Sequence, residues 1–468
     1  MWPLRRMTGP AAAISAILTA AACAGNTAAP QQKITAVDPY PTSKPNVTIT
    51  LWDGFSQGSE NDAFNAMVTN FEKAHPNIHV TVTGNINDTQ IQQGIKAGGS
   101  QSPDVAVSFT TDDVGTYCST GEWINLKQDL AAAQIDAAKT FPAPLINYTQ
   151  YQGDQCALPL ENDAYGLYYN KTLFAQAGIT APPQTLSDLQ ADALKLTVKN
   201  ADGSFKQLGF VPSFAYFEQV PGHFTPTFHL KWQTPTHNSE LASDPGFTTM
   251  VDWQKSFASA VLNQAPKSSA KQLTDFMNKS MSAGEFTAGQ NPFETGAVAM
   301  ALDGEWRNAN LKAETPKLSY GTAPFPVQDS DAASYGGGYL SGTVIGISSR
   351  STHQDADWEM VKYLTTNTDS LVTFANAIYN VPSTFAALAS PQLTQDPNFQ
   401  TFVKVSGDPH SSTTPASPNG GQYQQTAQTW LATWEAGQVT DSNLSSALAA
   451  LDSQIDKDTA AGVRPSGS

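Results

Sequence analysis

Glu161, Asn162 and Asp163 form a polar triplet inside the stretch Leu158 to Ile179, LPLENDAYGLYYNKTLFAQAGI, with Tyr165, Tyr168 and Tyr169 close behind. Carboxylates and an amide beside aromatic rings suit a neutral polyhydroxyl ligand. Planar polar groups satisfy hydroxyls, while ring faces cover the apolar side of a sugar by dispersion. The mixture does not by itself indicate a reaction. It recurs after other apolar runs, in Trp52 with Asp53, Asp112 with Asp113, and Glu305 with Trp306. The Gly-, Pro- and aromatic-rich segment 200–250 adds Tyr216, His223, Phe224 and Trp232 as residues that could line a cleft, although each alone is more often a packing residue. Gly338 and Tyr339 read as part of a backbone crossing beside the same site.

The rival chemistry is glycoside hydrolysis in a secreted enzyme, which needs two carboxyl groups about 5–10 Å apart across the scissile bond. Glu161 and Glu305 could be recast as that pair. Other chemistries lack a motif. Seven histidines show no HExxH and no paired ligand spacing, so no zinc is expected. No GxSxG or GxxxxGK[ST] is present, which removes serine hydrolysis and ATP binding. Asp329-Ser330-Asp331 is either a calcium contact or a solvated turn, and no cofactor is expected. The net charge of −16 argues against nucleic acid, which needs a basic footprint, and disfavours an anionic ligand.

Elements must bring these groups together. Val47, Ile49 and Leu51 alternate with threonines as a half-buried strand ending at Trp52-Asp53, and ligands in open α/β sheets gather beyond such carboxyl ends. A helix follows, with Phe64, Met67, Val68 and Phe71 on one face, Ser59 as its expected cap and His75-Pro76 as its stop. Ile78, Val80 and Val82 make the next strand. This βαβ opening predicts a parallel sheet with helices on its faces. SPDVAVSF delivers Asp112 and Asp113 at its end, and the tryptophan of GEW (121–123) reads as core. Leu158-Pro159 should close an extended run, Gly178 should end the helix bearing Leu173 and Phe174, and Thr185 should cap the helix after it. AVAMAL leads to Glu305 and Trp306, TVIGI follows the 337–339 crossing, and Leu444, Leu448, Leu451 and Ile455 form a helical stripe.

The start of the chain carries Arg5 and Arg6, then an apolar run to Ala22, too short to span a membrane and read as a secretory signal over 1–22. LTAAA precedes Cys23, so Cys23 is the expected site of lipidation; the alternative is cleavage after an Ala-x-Ala with Cys23 incidental. Residues 23–45, broken by four prolines, read as a lipidated tether. Once Cys23 is lipidated, Cys118 and Cys156 remain, and in an oxidising compartment they suggest one disulfide, with two separate buried thiols as the alternative. About 420 further residues suffice for two domains. The tail after Val463 reads as disordered.

The order of several segments carries a family resemblance. LYYNKTLFAQAGI followed by PPQTLSDL is the most specific, with Leu186 where the family usually has tryptophan. FEKAHPNIHVTV (71–82), SPDVAVSF (102–109), GEW (121–123), FETGAVAMALDGEW (293–306), APFPV (323–327) and GTVIGISSRSTHQDADWEMVKYL (342–364) accompany it in order. Together these resemble the extracellular solute-binding proteins of ABC importers, in the sugar-binding group that includes the maltose-binding protein. The resemblance implies a two-domain periplasmic-binding-protein fold of α/β class, with crossings near 156, 338 and 382 and a ligand cleft between the lobes. The lobes expected are 47–156 plus 340–381 and 157–338 plus 384–460. It further implies a carbohydrate ligand, a membrane permease partner, an anchored monomer outside the cell, and no catalysis. Position by position, Asp112 and Asp113 match the family's acidic site, Glu161 its polar residue before the YNK helix, and Trp306 its stacking tryptophan. Trp52 and Asp53 match more loosely. Arginine is scarce at these places, which argues against a phosphorylated ligand.

Overall fold

A computed structural model describes residues 40–55, 58–99, 102–264 and 267–462. The expected signal peptide, Cys23, the tether as far as residue 39 and the tail after Val463 lie outside the described residues. Among the described residues, no helix is long and apolar enough to cross a membrane.

One eight-stranded sheet organises the chain. β1 (Val47–Trp52) runs parallel to β2 (Ile78–Thr83) on one side and β3 (Val105–Ser108) on the other. Its alternation buries Val47, Ile49 and Leu51, and the helix Ser59–Ala74 covers them with Phe64, Met67, Val68 and Phe71. Ser59 is the first helical residue, not the cap. Gly58 caps at φ 82°, a conformation that glycine adopts at little cost.

The remaining strands gather around β4 (Leu158–Asn170), thirteen residues long. β5 (Met300–Gly304), β6 (Tyr320–Ala323), β7 (Leu340–Ile347) and β8 (Val381–Pro382) all pair with it antiparallel. β7 also pairs with β3 and so joins the two halves of the sheet. The sequence suggested a break at Leu158-Pro159, but the strand continues through it. Pairing with β7 shifts register between Thr343 and Val344, and this irregularity accommodates a residue without an N–H.

Two hydrophobic cores hang on this sheet. Leu158, Leu160 and Ala164 of β4 lie in the first, with β1, β3 and β7; Tyr165 and Leu167 lie in the second, with Phe224, Phe257, Trp232 and the stripe Leu448, Leu451, Ile455. Ala387, Phe399, Phe402 and Val405 also belong to the first core, although the sequence reading grouped 384–460 with the second lobe. The helix Pro397–Gly407 packs on β4, with the Phe402 ring 5.5 Å from Tyr168. Trp123 is core, stacked on Tyr117 at 4.1 Å. Thr185 caps its helix by accepting from the Asp188 N–H, and Gly178 ends the preceding one at φ 69°. Cys118 and Cys156 are bonded, their Cα atoms 5.6 Å apart, tying helix Val114–Ser119 to the chain entering β4.

Candidate ligand-binding site

The side chains of β4 alternate between faces, and this decides which members of the triplet act together. Glu161 and Asp163 share a face, where Asn380 Nδ2 donates to Glu161 Oε2 at 2.9 Å and to Asp163 Oδ1 at 2.8 Å. Thr343 of β7 donates to Glu161 as well. Asn162 points the other way and donates to Ser406 Oγ at 2.6 Å, so the strand's period separates it from its neighbours. Glu305, just past β5, joins the first face, its Oε2 accepting from the Ala164 N–H at 2.7 Å. Carboxylate oxygens of Glu161, Asp163 and Glu305 lie within 4.8 Å of one another. Burial raises all three above the usual carboxylate range, and for Asp163 the charges of Glu161 and Glu305 add to it. Three full charges this close in a dry place would repel strongly, so protons are retained.

Beside this trio lies a cavity of about 60 Å³, lined by Phe55, Glu60, Phe109, Glu161, Phe286, Trp306, Ala309, Asn310, Glu314, Ile378 and Asn380. Trp306 is half-buried, edge-on to Tyr165 at 5.3 Å, and its Nε1 has no partner among the described residues. Gly304 lets the ring lie flat against the chain: a Cβ there would fall 2.2 Å from it. Asn310 and Glu314 follow Trp306 at steps of four along the helix Arg307–Glu314, which puts them side by side on one face.

Of the other candidates, His223, Gly338 and Tyr339 line one small recess together with Tyr165, and the rest do not gather at either place. Asp112 accepts from Gln424 Nε2 at 2.8 Å and Thr414 Oγ1 at 3.3 Å, a link from the first core to the second. Burial pushes its carboxyl up to about 6 against those bonds. Asp113 rises to about 7 through burial, then through Asp88 and Asp112. Tyr339 shares a 2.9 Å hydrogen bond with Thr414 and packs with Tyr165 and His223. His223 Nδ1 donates to the Glu218 carbonyl at 2.6 Å, and burial lowers its pKa to about 3, so the ring is neutral. The Gly338 N–H donates to Ser411 Oγ at 3.0 Å. Asp53 is wholly buried at the end of β1, one oxygen accepting from the Phe55 N–H at 2.8 Å and the other without a partner among the described residues, and burial carries it to about 7. Trp52 packs on the first core. Tyr216, Phe224 and Trp232 are buried in the second core and do not line the cavity. Asp331, in the turn considered for calcium, pairs with His229 at 2.7 Å.

A second, larger groove of about 1020 Å³ lies on the Asn162 face, where Ser406 is one of its walls. Residues 142–144, 150–153, 230–235 and 411–416 surround it, and Tyr151 stacks on His237 across it at 4.7 Å. Trp232, read in the sequence as a residue that could line a cleft, lines it, whereas Glu161, Asp163, Glu305 and Trp306 do not.

Glu161 and Trp306 therefore meet at the cavity, with Asp163 and Glu305 behind them. Phe55, Glu60, Phe109, Asn310, Glu314 and Asn380 were not anticipated. Phe55 and Phe109 stand within two residues of strand ends already singled out, so the strand-end rule reached them in principle. Asn310 and Glu314 needed only the helical step from Trp306. Asn380 carried no signal before the 381–383 crossing was folded onto β4.

The family described as bacterial extracellular solute-binding protein matches residues 57–369, more than half of the chain. This chain belongs to that family. It is 27% identical over 285 residues to the melibiose/raffinose/stachyose-binding protein MelE of Bacillus subtilis, across 60% of this chain and 61% of MelE. The chain thus spans about three fifths of the length of that curated relative. Among solved structures, CpMnBP1 with mannotriose bound superposes with a TM-score of 0.70 at 23% identity, covering 88% of this chain and all of that one. The sugar-binding protein MalE from Xanthomonas citri gives 0.70 at 21%, covering 89% and 98%. At these identities the likeness speaks for the fold alone, a two-lobed α/β solute-binding architecture.

Proposed function

We propose that this protein captures a carbohydrate between its two lobes and delivers it to the membrane permease of an ABC importer. The observation that carries this reading is the cavity beside β4, the strand shared by both cores, where Trp306 and three phenylalanines meet the carboxylates of Glu60, Glu161 and Glu314 and the amides of Asn310 and Asn380. The sugars printed for MelE and CpMnBP1 point the same way. Glu161, Trp306, Asn310 and Asn380 would make the contacts, with Asp53, Asp112, Asp113, Asp163, His223, Glu305, Gly338 and Tyr339 along the lobe boundary. The lobes would part and close about β4, β7 and the 381–383 crossing. Cys23 would anchor a monomer outside the cell through lipid chains.

Hydrolysis is not favoured. Glu161 and Glu305 are 4% and 0% exposed and already hydrogen-bonded within the protein, which leaves no room between them for a scissile bond. A thermal-shift screen with raffinose, stachyose, mannotriose and maltotriose tests the proposal. A ligand at 100 times its dissociation constant should stabilise the fold by ~2.7 kcal/mol. No shift with any of them would count against carbohydrate capture.

A further inference from the structure

Sequence composition suggests a neutral ligand, but the cavity wall is not neutral. Glu60, Glu161 and Glu314 line it, and among the described residues no lysine, arginine or histidine does. Asp163 and Glu305 stand directly behind Glu161. The basic groups on the adjoining helix Arg307–Glu314 are engaged elsewhere: Arg307 donates to Asp303 at 2.6 Å, and Lys312 binds Asp396 and the Tyr379 hydroxyl. The carboxylates of this wall, of which the Glu161 trio retains protons, therefore face no basic group, and low-dielectric walls concentrate the charge that remains. The remaining wall is aromatic, with the rings of Phe55, Phe109 and Trp306, whose faces attract a cation. A neutral hydroxyl would use the acceptors but not the field.

We infer that the ligand carries an ammonium group: an amine-bearing sugar whose cationic nitrogen sits among Glu60, Glu161 and Glu314 with Trp306 against the ring. This rests on the carbohydrate reading above and narrows it. The recess of about 60 Å³ holds the volume of only a handful of waters. It accepts an ammonium and its carbon in this arrangement, while a whole pyranose requires the lobes to separate. Association is then steered by charge, and the protein's overall acidity works with the site.

The test compares sugars that differ only in an amine. The full mature protein is titrated calorimetrically with glucosamine against glucose, galactosamine against galactose, and the glucosamine trimer against cellotriose. The aminated member of at least one pair should bind roughly tenfold tighter or more, as a charge-assisted hydrogen bond implies. That advantage should shrink at high salt. In the double variant Glu60→Gln, Glu314→Gln the preference should disappear, with an unchanged melting temperature showing that the fold is intact. Equal or tighter binding of the hydroxyl members overturns the amine assignment and leaves carbohydrate capture standing. Binding only of a neutral trisaccharide from the earlier screen has the same meaning. Absence of binding in every pair and in that screen overturns both.

Discussion

Trp306 offers two independent ways to disturb one ring. Trp306→Ala removes it. The residue is half-buried and its Nε1 has no partner among the described residues, so the stability at risk is limited to the edge-to-face contact with Tyr165 and part of its area. Such a pair contributes about 0.5–1.5 kcal/mol, whereas a fully buried tryptophan would cost about 3–5. A loss near 1–2 kcal/mol corresponds to a melting shift of roughly 2–8 °C for lobes of this size. Binding should suffer more. Truncating a central aromatic anchor costs about 2 kcal/mol or more, close to thirtyfold in affinity. Gly304→Ala keeps the ring but places a methyl group 2.2 Å from it, so the indole must move away. That variant should lose affinity while every ligand-facing side chain is still present. Calorimetric titration and a melting curve on the same samples decide the matter. If both variants bind normally while Trp306→Ala melts much lower, Trp306 is a core residue and the site is misplaced.

Three other expectations follow, the first two from the structure and the third from the sequence around Cys23. Closing a loop of 38 residues, the Cys118–Cys156 bond should contribute about 4 kcal/mol, so the Cys156→Ser protein should unfold at clearly lower urea, and an unchanged midpoint would contradict this. Asp53, Asp112 and Asp113 are protonated more readily folded than unfolded, so stability should fall as pH rises from about 4 to about 7, and Asp53→Asn should flatten that slope in melting curves. Replacement of Cys23 by serine should move the protein from the membrane fraction to the medium; retention in a detergent-extractable fraction would end the lipid-anchor reading.

The elements were largely legible because local patterns determine them. Alternation marked β1, helical spacing marked Phe64 to Phe71, and Thr185 announced its own cap. The triplet at 161–163 shows where such reading stops. Three adjacent polar residues looked like one group, yet a strand's period of two sends Asn162 to the opposite face. Pro159 misled in a related way, since its tolerance depends on a register shift in β7, more than 180 residues away in sequence. Residues 384–460 were grouped with the second lobe, yet Phe399 and Phe402 join the first core, because tertiary packing such as that of Phe402 on Tyr168 decides it. Asn380, which bridges two carboxylates, becomes visible only once β8 lies beside β4.

The most direct measurement is a crystal structure of the mature protein with the sugar that stabilises it most. The account predicts one sugar between the lobes, a ring face against Trp306 and polar contacts to Glu161 and Asn380. A sugar seated instead in the groove on the Asn162 face, against Tyr151 and His237, with the Trp306 cavity unchanged, would contradict it.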